Sequence, residues 1–339
     1  MVLTVIVRKV DLNRALKSTM RPARVQRVVR ALRPRGTPRD VVLMYHRVRS
    51  AVHDPLELNV SPANFAAHME VLVSSGMPVV PLEALLEPAN HQRLAITFDD
   101  GYVDNFEVAA PLLRTHGFPA SFFVTTGALE PCSAEFWWDR LEHVFFAGPM
   151  AVTQLHVEGR KGPTSLDVST EDSRSEAYKV CNEAVATAPP AQIERFLSHL
   201  VNQVCGVLQQ CDDHERIGRE QLADLAGDEL VHIGAHTRDH AALAALDDAA
   251  AYSQIAQGRA GLAEVLGREP MTMAYPFGGR GAVRRRHESM AREVGFRLAC
   301  VTQPDTHRAG KNPFAIPRFH VANVDAGRFE RVLAGFASR

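Results

Sequence analysis

The chain has 339 residues, 46% of them hydrophobic, enough to bury one large core or a core plus an inserted unit. Lys and Arg (38) balance Asp and Glu (39), so bulk charge argues against a nucleic-acid partner. The five cysteines (Cys132, Cys181, Cys205, Cys211, Cys300) form no CxxC pair, and an odd, scattered set excludes a disulfide framework and suits a reducing compartment.

Residues 1–40 hold eleven Lys or Arg and two Asp. The apolar start, Val2 to Val7, is too short to span a membrane. It also precedes the charges, whereas a secretory signal puts its charges first. No cleaved signal is read here, and the expected location is the cytoplasm, including the cytoplasmic face of the membrane. From Leu12 to Leu32, apolar positions (Leu16, Met20, Val25, Val28, Val29, Leu32) alternate with basic ones (Arg14, Lys17, Arg21, Arg24, Arg27, Arg30). Two readings stay open: a basic segment lying on an anionic membrane surface, or a solvated arm or helix packed on the domain. Pro34, Gly36 and Pro38 mark a linker.

The body, residues 41–339, then alternates strand and helix patterns. Val41–Val48 reads as the first strand. Ser61 caps a helix with Pro62 at its first position, running to about Ser75. Leu94–Asp99 is a strand, followed by a helix near Asn105–His116 that stops at Gly117. Ala120–Thr125 is the third strand. Residues 128–220 break the rhythm: Glu135–Leu141 carries both tryptophans, a polar stretch covers Glu158–Ser175, and Ala191–Gln210 is a helical run. This reads as a mostly helical insertion. The alternation resumes with a strand at Leu230–Ala235, a helix at Asp247–Leu266 before Gly267, and a strand at Met271–Tyr275. A helix at Ala282–Val294 before Gly295 and a strand at Leu298–Thr302 follow. Such alternation builds a parallel sheet.

Two motifs carry chemistry. Leu94–Phe98 delivers Asp99 and Asp100 side by side at a strand end, stopped by Gly101. Adjacent carboxylates repel unless a cation holds one, in which case the other stays free as a base. After the apolar run Leu230–Gly234 come His236 and His240, four apart, which one helical turn would bring to one face. Taken alone, two histidines in a chain with 15 are surface side chains. Beside the Asp-Asp pair they complete a set of two imidazoles and one carboxylate with a position left open for water, the composition of a catalytic zinc site. Cobalt or nickel would fit the same donors. With both motifs at strand C-termini, the natural closure is a barrel with its site at that face, although periodicity alone does not separate it from a doubly wound sheet.

The segments Thr97-Phe98-Asp99-Asp100-Gly101, His236-Thr237-Arg238-Asp239-His240, Met273–Gly278 and Val42–Val48 together resemble the polysaccharide deacetylases, the family of the NodB homology domain and carbohydrate esterase family 4. The resemblance spans roughly residues 41–325. It implies a distorted (β/α)7 barrel and metal-dependent removal of an N-acetyl group from an amino sugar. By that resemblance Asp100, His236 and His240 hold the metal, Asp99 is the base, and the backbone N–H near Tyr102 stabilises the oxyanion. The family's third motif carries an arginine that tethers the base, but Ala274 occupies that position here. Arg318 is the substitute candidate, with a surface or structural Arg as the alternative. His320, two residues on and so on the same strand face, is the candidate general acid. The family's D-x-x-D-W motif is absent. Tyr275, Pro276 and Phe277 are expected to wall the substrate groove, His46 to face the site, and Trp138 (or Trp137) either to stack on a sugar or to anchor the insertion. The run Arg284-Arg285-Arg286 reads as a solvated face, with contact to a phosphate of a lipid-linked or nucleotide-linked sugar as the alternative. Two alternatives remain: a deformylase or deacylase on a lipid-linked amino sugar, and a glycan-binding member without activity.

Overall fold

A computed structural model describes residues 38–129, 135–147, 150–159, 162–186, 188–204 and 215–337. The basic arm, apart from its last three residues, and Cys132, Cys205 and Cys211 lie outside the described residues.

The short apolar runs become strands buried on both faces, as a parallel sheet covered by helices requires. They are β1 (Val41–Tyr45), β2 (Leu94–Phe98) and β3 (Ala120–Val124), then β6 (Val231–Ala235), β7 (Thr272–Ala274), β8 (Leu298–Cys300) and β9 (Phe319–His320). All are parallel, in the order β8-β7-β6-β3-β2-β1-β9. The segment leading into β9 closes the sheet on itself. Ile316 bridges Cys300 of β8, and Phe319 and His320 then pair with Leu43 and Met44 of β1. The result is the distorted (β/α)7 barrel expected from the sequence.

Inside the barrel lie Val42, Ala95, Phe123, Ala274, Leu298, Cys300 and Ile316, with Leu82 and Leu85 packed among them from the short 3-10 turn Leu82–Leu86. The alternate residues face the helix layer, Leu43, Ile96, Phe122, Met273, Tyr275 and Ala299 among them. That layer contains α1 (Pro62–Ser75), α2 (Ala110–His116), α6 (Arg219–Ala226), α7 (Asp248–Leu266), α8 (Arg285–Val294) and α9 (Ala326–Ala337). Local chemistry sets the ends. The Ser61 hydroxyl accepts from the Asn64 N–H, the Asp247 carboxylate accepts from the Ala250 N–H, and Gly76, Gly117, Gly267 and Gly295 all stop helices in the left-handed region. One expected helix begins differently: Asn105–Ala109 is a π-turn, with the Ala110 N–H donating to the Asn105 carbonyl, just ahead of Pro111. In the basic run, Arg286 pairs with Asp248 and donates to the Leu246 carbonyl, pinning α8 to the start of α7.

The insertion contains α3 (Trp137–Phe146), β4 (Gln154–Gly159), β5 (Gly162–Asp167), α4 (Glu171–Val185) and α5 (Pro190–Val204). It has its own apolar cluster, including Leu141, Phe145, Leu155, Tyr178 and Leu197. Its described elements are therefore helical except for an antiparallel hairpin whose strands, β4 and β5, run from Gln154 into the polar stretch. Leu166 is the one buried side chain of β5, which is why that strand reads as polar. Cys181 is buried in this cluster and Cys300 in the barrel; burial pushes both thiols up to about 12. No described helix is long and apolar enough to cross a membrane.

Candidate active site

β2 delivers the carboxylates. The Asp99 N–H still donates to the Tyr45 carbonyl at 3.0 Å, in ladder fashion, and then the chain bends sharply. Asp100 has φ of 75° and Gly101 of 83°. Gly101 is required here twice over: its positive φ suits glycine, and a Cβ would lie 2.9 Å from Val124 Cγ1.

Asp99 is buried and clamped by Arg318. Arg318 Nη1 donates to Asp99 Oδ1 at 2.6 Å and Nη2 to Oδ2 at 2.7 Å, a fork-on-fork pair. Arg318 also donates to Thr97 Oγ1 and the Val301 carbonyl. Burial alone would raise the Asp99 pKa; the guanidinium, with His236 nearby, more than offsets it and holds the carboxyl below its ordinary value. The guanidinium that Ala274 cannot supply thus reaches Asp99 from the residue just before β9.

The histidines arrive by a route the sequence did not suggest. His236 to His240 is not a helical turn but a bent loop, with Thr237 at φ 64° and His240 at φ 54°. Helix α7 holds the bend. The Arg238 N–H donates to the Gln254 carbonyl, the Asp239 N–H to Gln254 Oε1, and Gln254 Nε2 to Asp239 Oδ2. Gly258 lets the helix approach, since a Cβ there would lie 2.6 Å from the Thr237 carbonyl carbon. Gly258→Ala is accordingly expected to destabilise the protein by about 1–3 kcal/mol through overpacking, the reverse of the usual gain from Ala in a helix. A lowered urea midpoint checks this.

The three donors converge. Asp100 Oδ1 lies 3.5 Å from His236 Nε2 and 3.4 Å from His240 Nε2. Two ligand atoms each bonded to one tetrahedral zinc at about 2.0–2.1 Å would lie about 3.4 Å apart. Asp100 Oδ1 is buried and has no hydrogen-bond partner among the described residues, as a position kept for a cation requires. His236 Nδ1–H donates to the Ala274 carbonyl at 2.8 Å, which turns Nε2 toward Asp100. Burial would raise the Asp100 pKa, but the two imidazoles hold it well below the ordinary carboxylate range. The residues present fit a divalent metal.

Backbone strain marks the same place. The non-glycine residues with positive φ among those described are Glu57, Asp100, Thr237, His240 and Phe277. Two are candidate ligands, one lies between the histidines, and the Phe277 ring sits 4.9 Å from that of His240. Such conformations persist only where the surroundings impose them, and they gather at functional sites.

The remaining expected residues divide. His320 is exposed at the rim, its ring 5.7 Å from that of His46 at the end of β1. His46 Nδ1 is buried without a partner among the described residues. Tyr275 and Pro276 do not wall a groove. Both are buried, and the Tyr275 hydroxyl donates to the Phe314 carbonyl, because alternation along β7 points Tyr275 at the helix layer. Trp138 is no sugar platform either: it is 5% exposed and packs from the insertion against His240. The Tyr102 side chain is buried, accepting from Trp138 Nε1 at 2.8 Å and donating to Asp139 at 2.9 Å. Asp139, Gln254 and Gly258 are residues of this constellation that the sequence reading missed. Only Gly258, a glycine inside a helical pattern, carried a signal.

A closed parallel barrel with this donor cluster at the C-terminal end of its strands defines a (β/α)7 protein whose Asp100, His236 and His240 could hold a metal ion. The family model for polysaccharide deacetylases matches residues 87–159 and 197–299, leaving out part of the insertion, and the chain belongs to that family. YxkH of Bacillus subtilis (strain 168) is 36% identical over 89 residues, which cover 24% of this chain and 30% of that protein's length. Among solved structures, IcaB from Ammonifex degensii matches with a TM-score of 0.56 at 18% identity, covering 90% of this chain and 98% of that one. The Streptococcus pyogenes deacetylase PplD, solved in complex with acetate, matches at 0.55 and 16% identity, covering 87% and 98%. At these identities the structural matches establish the fold.

Proposed function

We propose that this protein is a metal-dependent hydrolase that removes the N-acetyl group from an amino sugar in a glycan or glycan precursor. The observation that carries the reading is one juxtaposition: a three-donor cluster, Asp100, His236 and His240, beside an Asp99 that Arg318 keeps ionised. The donors are those of zinc, with cobalt and nickel compatible. An ion bound there would lower the pKa of a water and polarise the acyl carbonyl.

The chain's own groups do the rest. Asp99 accepts a proton from the attacking water; being fixed at both oxygens, it loses no orientation in doing so. The oxygen adds to the acyl carbon, the C–N bond breaks, and the leaving amine takes a proton, which His320 at the rim supplies. The Tyr102 backbone N–H, two residues after Asp100, is the donor assigned to the developing oxyanion. Acetate and a free amino sugar result, and PplD was solved with acetate bound.

The test is acetate release from a panel of N-acetylated sugars, free and lipid-linked, with and without chelator. Release that a chelator does not touch sinks the mechanism, and no release from any member sinks the activity. His320→Ala is expected to lower kcat by about 10²–10⁴-fold with metal content unchanged. Loss of metal would make it a ligand instead, and no change in either would remove it from the mechanism.

A further inference from the structure

The two candidate histidine ligands are held by different means. His236 is fixed by a hydrogen bond from Nδ1–H to the Ala274 carbonyl, the usual support for a metal-binding imidazole. His240 lacks that support: its Nδ1 is buried and makes no hydrogen bond among the described residues. Its ring is boxed by aromatic edges instead. Trp138 lies at 4.6 Å and 63°, Phe277 at 4.9 Å and 70°, and Phe136 at 5.8 Å and 64°.

Two of those rings belong to the insertion, and Trp138 is itself locked. It stacks on Phe136 at 4.3 Å and 10°. Its Nε1–H donates to the Tyr102 hydroxyl, which donates on to Asp139. Tyr102 stands two residues after Asp100. A continuous run of contacts therefore leads from one ligand, Asp100, through Tyr102 and Trp138 to another, His240, and it passes through the start of α3.

We propose that Trp138 is a positioning residue for the metal centre: its indole orients the His240 ring, so that docking of the insertion on the barrel sets how tightly the metal is held. The inference rests on the metal-binding reading above. Buried aromatic residues are often plain core. What argues for more here is that they enclose the one ligand imidazole with no hydrogen-bonded support, in edge-on geometry that fixes a ring plane.

The test uses the full chain, stripped with chelator and titrated with Co(II), reading affinity by competition with a chromophoric chelator and coordination geometry from the visible spectrum at saturation. Trp138→Ala is expected to weaken Co(II) binding by about 10–100-fold, the range seen when outer supports of a ligand are removed, and to alter the spectrum. Trp138→Phe keeps a ring but loses the N–H, and Tyr102→Phe removes its acceptor; each is expected to weaken binding by a smaller factor, about threefold or more. Leu197→Ala, in the insertion core and away from His240, should lower the unfolding midpoint yet leave Co(II) affinity within about twofold. If Trp138→Ala does not fold, the two milder variants carry the test. Wild-type affinity in all the Trp138 and Tyr102 variants that fold overturns the proposal, as does a loss in Leu197→Ala equal to theirs. If the wild-type protein itself binds no Co(II), the metal reading fails first and this inference falls with it.

Discussion

Asp99→Asn is expected to retain metal and lose turnover, whereas Asp100→Asn loses both. The two carboxylates are chain neighbours and both buried, yet their surroundings assign them different work. Asp100 Oδ1 faces two imidazole nitrogens and makes no hydrogen bond among the described residues. Both oxygens of Asp99 are taken by one guanidinium. An amide at position 99 can still accept a hydrogen bond, but it cannot take up a proton, so kcat/KM should fall by about 10²–10⁴-fold. It also leaves Arg318 as an uncompensated buried cation, which costs about 3–5 kcal/mol of stability. An amide at position 100 removes the one anionic donor from a three-donor set. Metal content after gel filtration, read beside acetate release, separates the cases. A further readout needs no substrate: a metal at 100 times its Kd stabilises the folded state by about 2.7 kcal/mol. That metal-dependent rise in Tm should persist in Asp99→Asn and vanish in Asp100→Asn. Equal metal loss in both variants would show that the division of labour is wrong.

That the carboxylate pair was legible in sequence, that only the family resemblance said which carboxylate does which, and that the geometry was less readable, all follow from the range of the interactions. Ser61, Pro62, Asp247 and the helix-ending glycines act on neighbours within one turn, so the helices they bound were readable. Asp99 and Asp100 follow directly from β2, which fixes their position at the barrel mouth. The bend at His236–His240 was not readable, because its cause is Gln254 and Gly258 on a helix that follows in sequence and packs beside it. Spacing alone favoured a helical turn that never forms. Tyr275 shows a different limit. Period two says that Ala274 and Tyr275 point opposite ways, but both faces of a barrel strand are apolar, and only the closed sheet shows which one lines the interior. Trp138 was readable as an aromatic in an unusual place. Its burial against His240 depends on how the insertion folds back, and no local pattern encodes that. Arg318 was a candidate only because the family resemblance calls for a tethering arginine where Ala274 stands, and the sequence near the end of the barrel offered one.

That cation is the second residue on which large effects are expected. Arg318→Met should abolish activity and reverse the pH dependence of stability that Asp99 contributes. In the native protein the guanidinium holds the Asp99 pKa below its ordinary value against the opposing effect of burial. A depressed carboxylate adds stability above its unfolded pKa, about 3.9, and loses that contribution as pH falls through the lower folded value. Once the guanidinium is replaced by a thioether, burial, the largest influence, is opposed only by His236 and His46, and the folded pKa is expected to rise above the unfolded one. The folded state then favours the protonated acid, so stability falls as pH climbs from about 4 through the new, higher value. The acid limb of the kcat/KM profile moves upward with it, since the base is ionised only at higher pH. Removing one partner of a buried pair should cost about 3–5 kcal/mol at neutral pH. Arg318→Lys should recover only part of this, because an ammonium meets two carboxylate oxygens as a point charge and cannot match the fork. The pair Asp99→Asn with Arg318→Met should be more stable than the sum of the single changes predicts, since neither partner then leaves the other charged and buried, yet it stays inactive. If Arg318→Met keeps the acid limb and turnover of the wild type, Arg318 braces the barrel without governing the base.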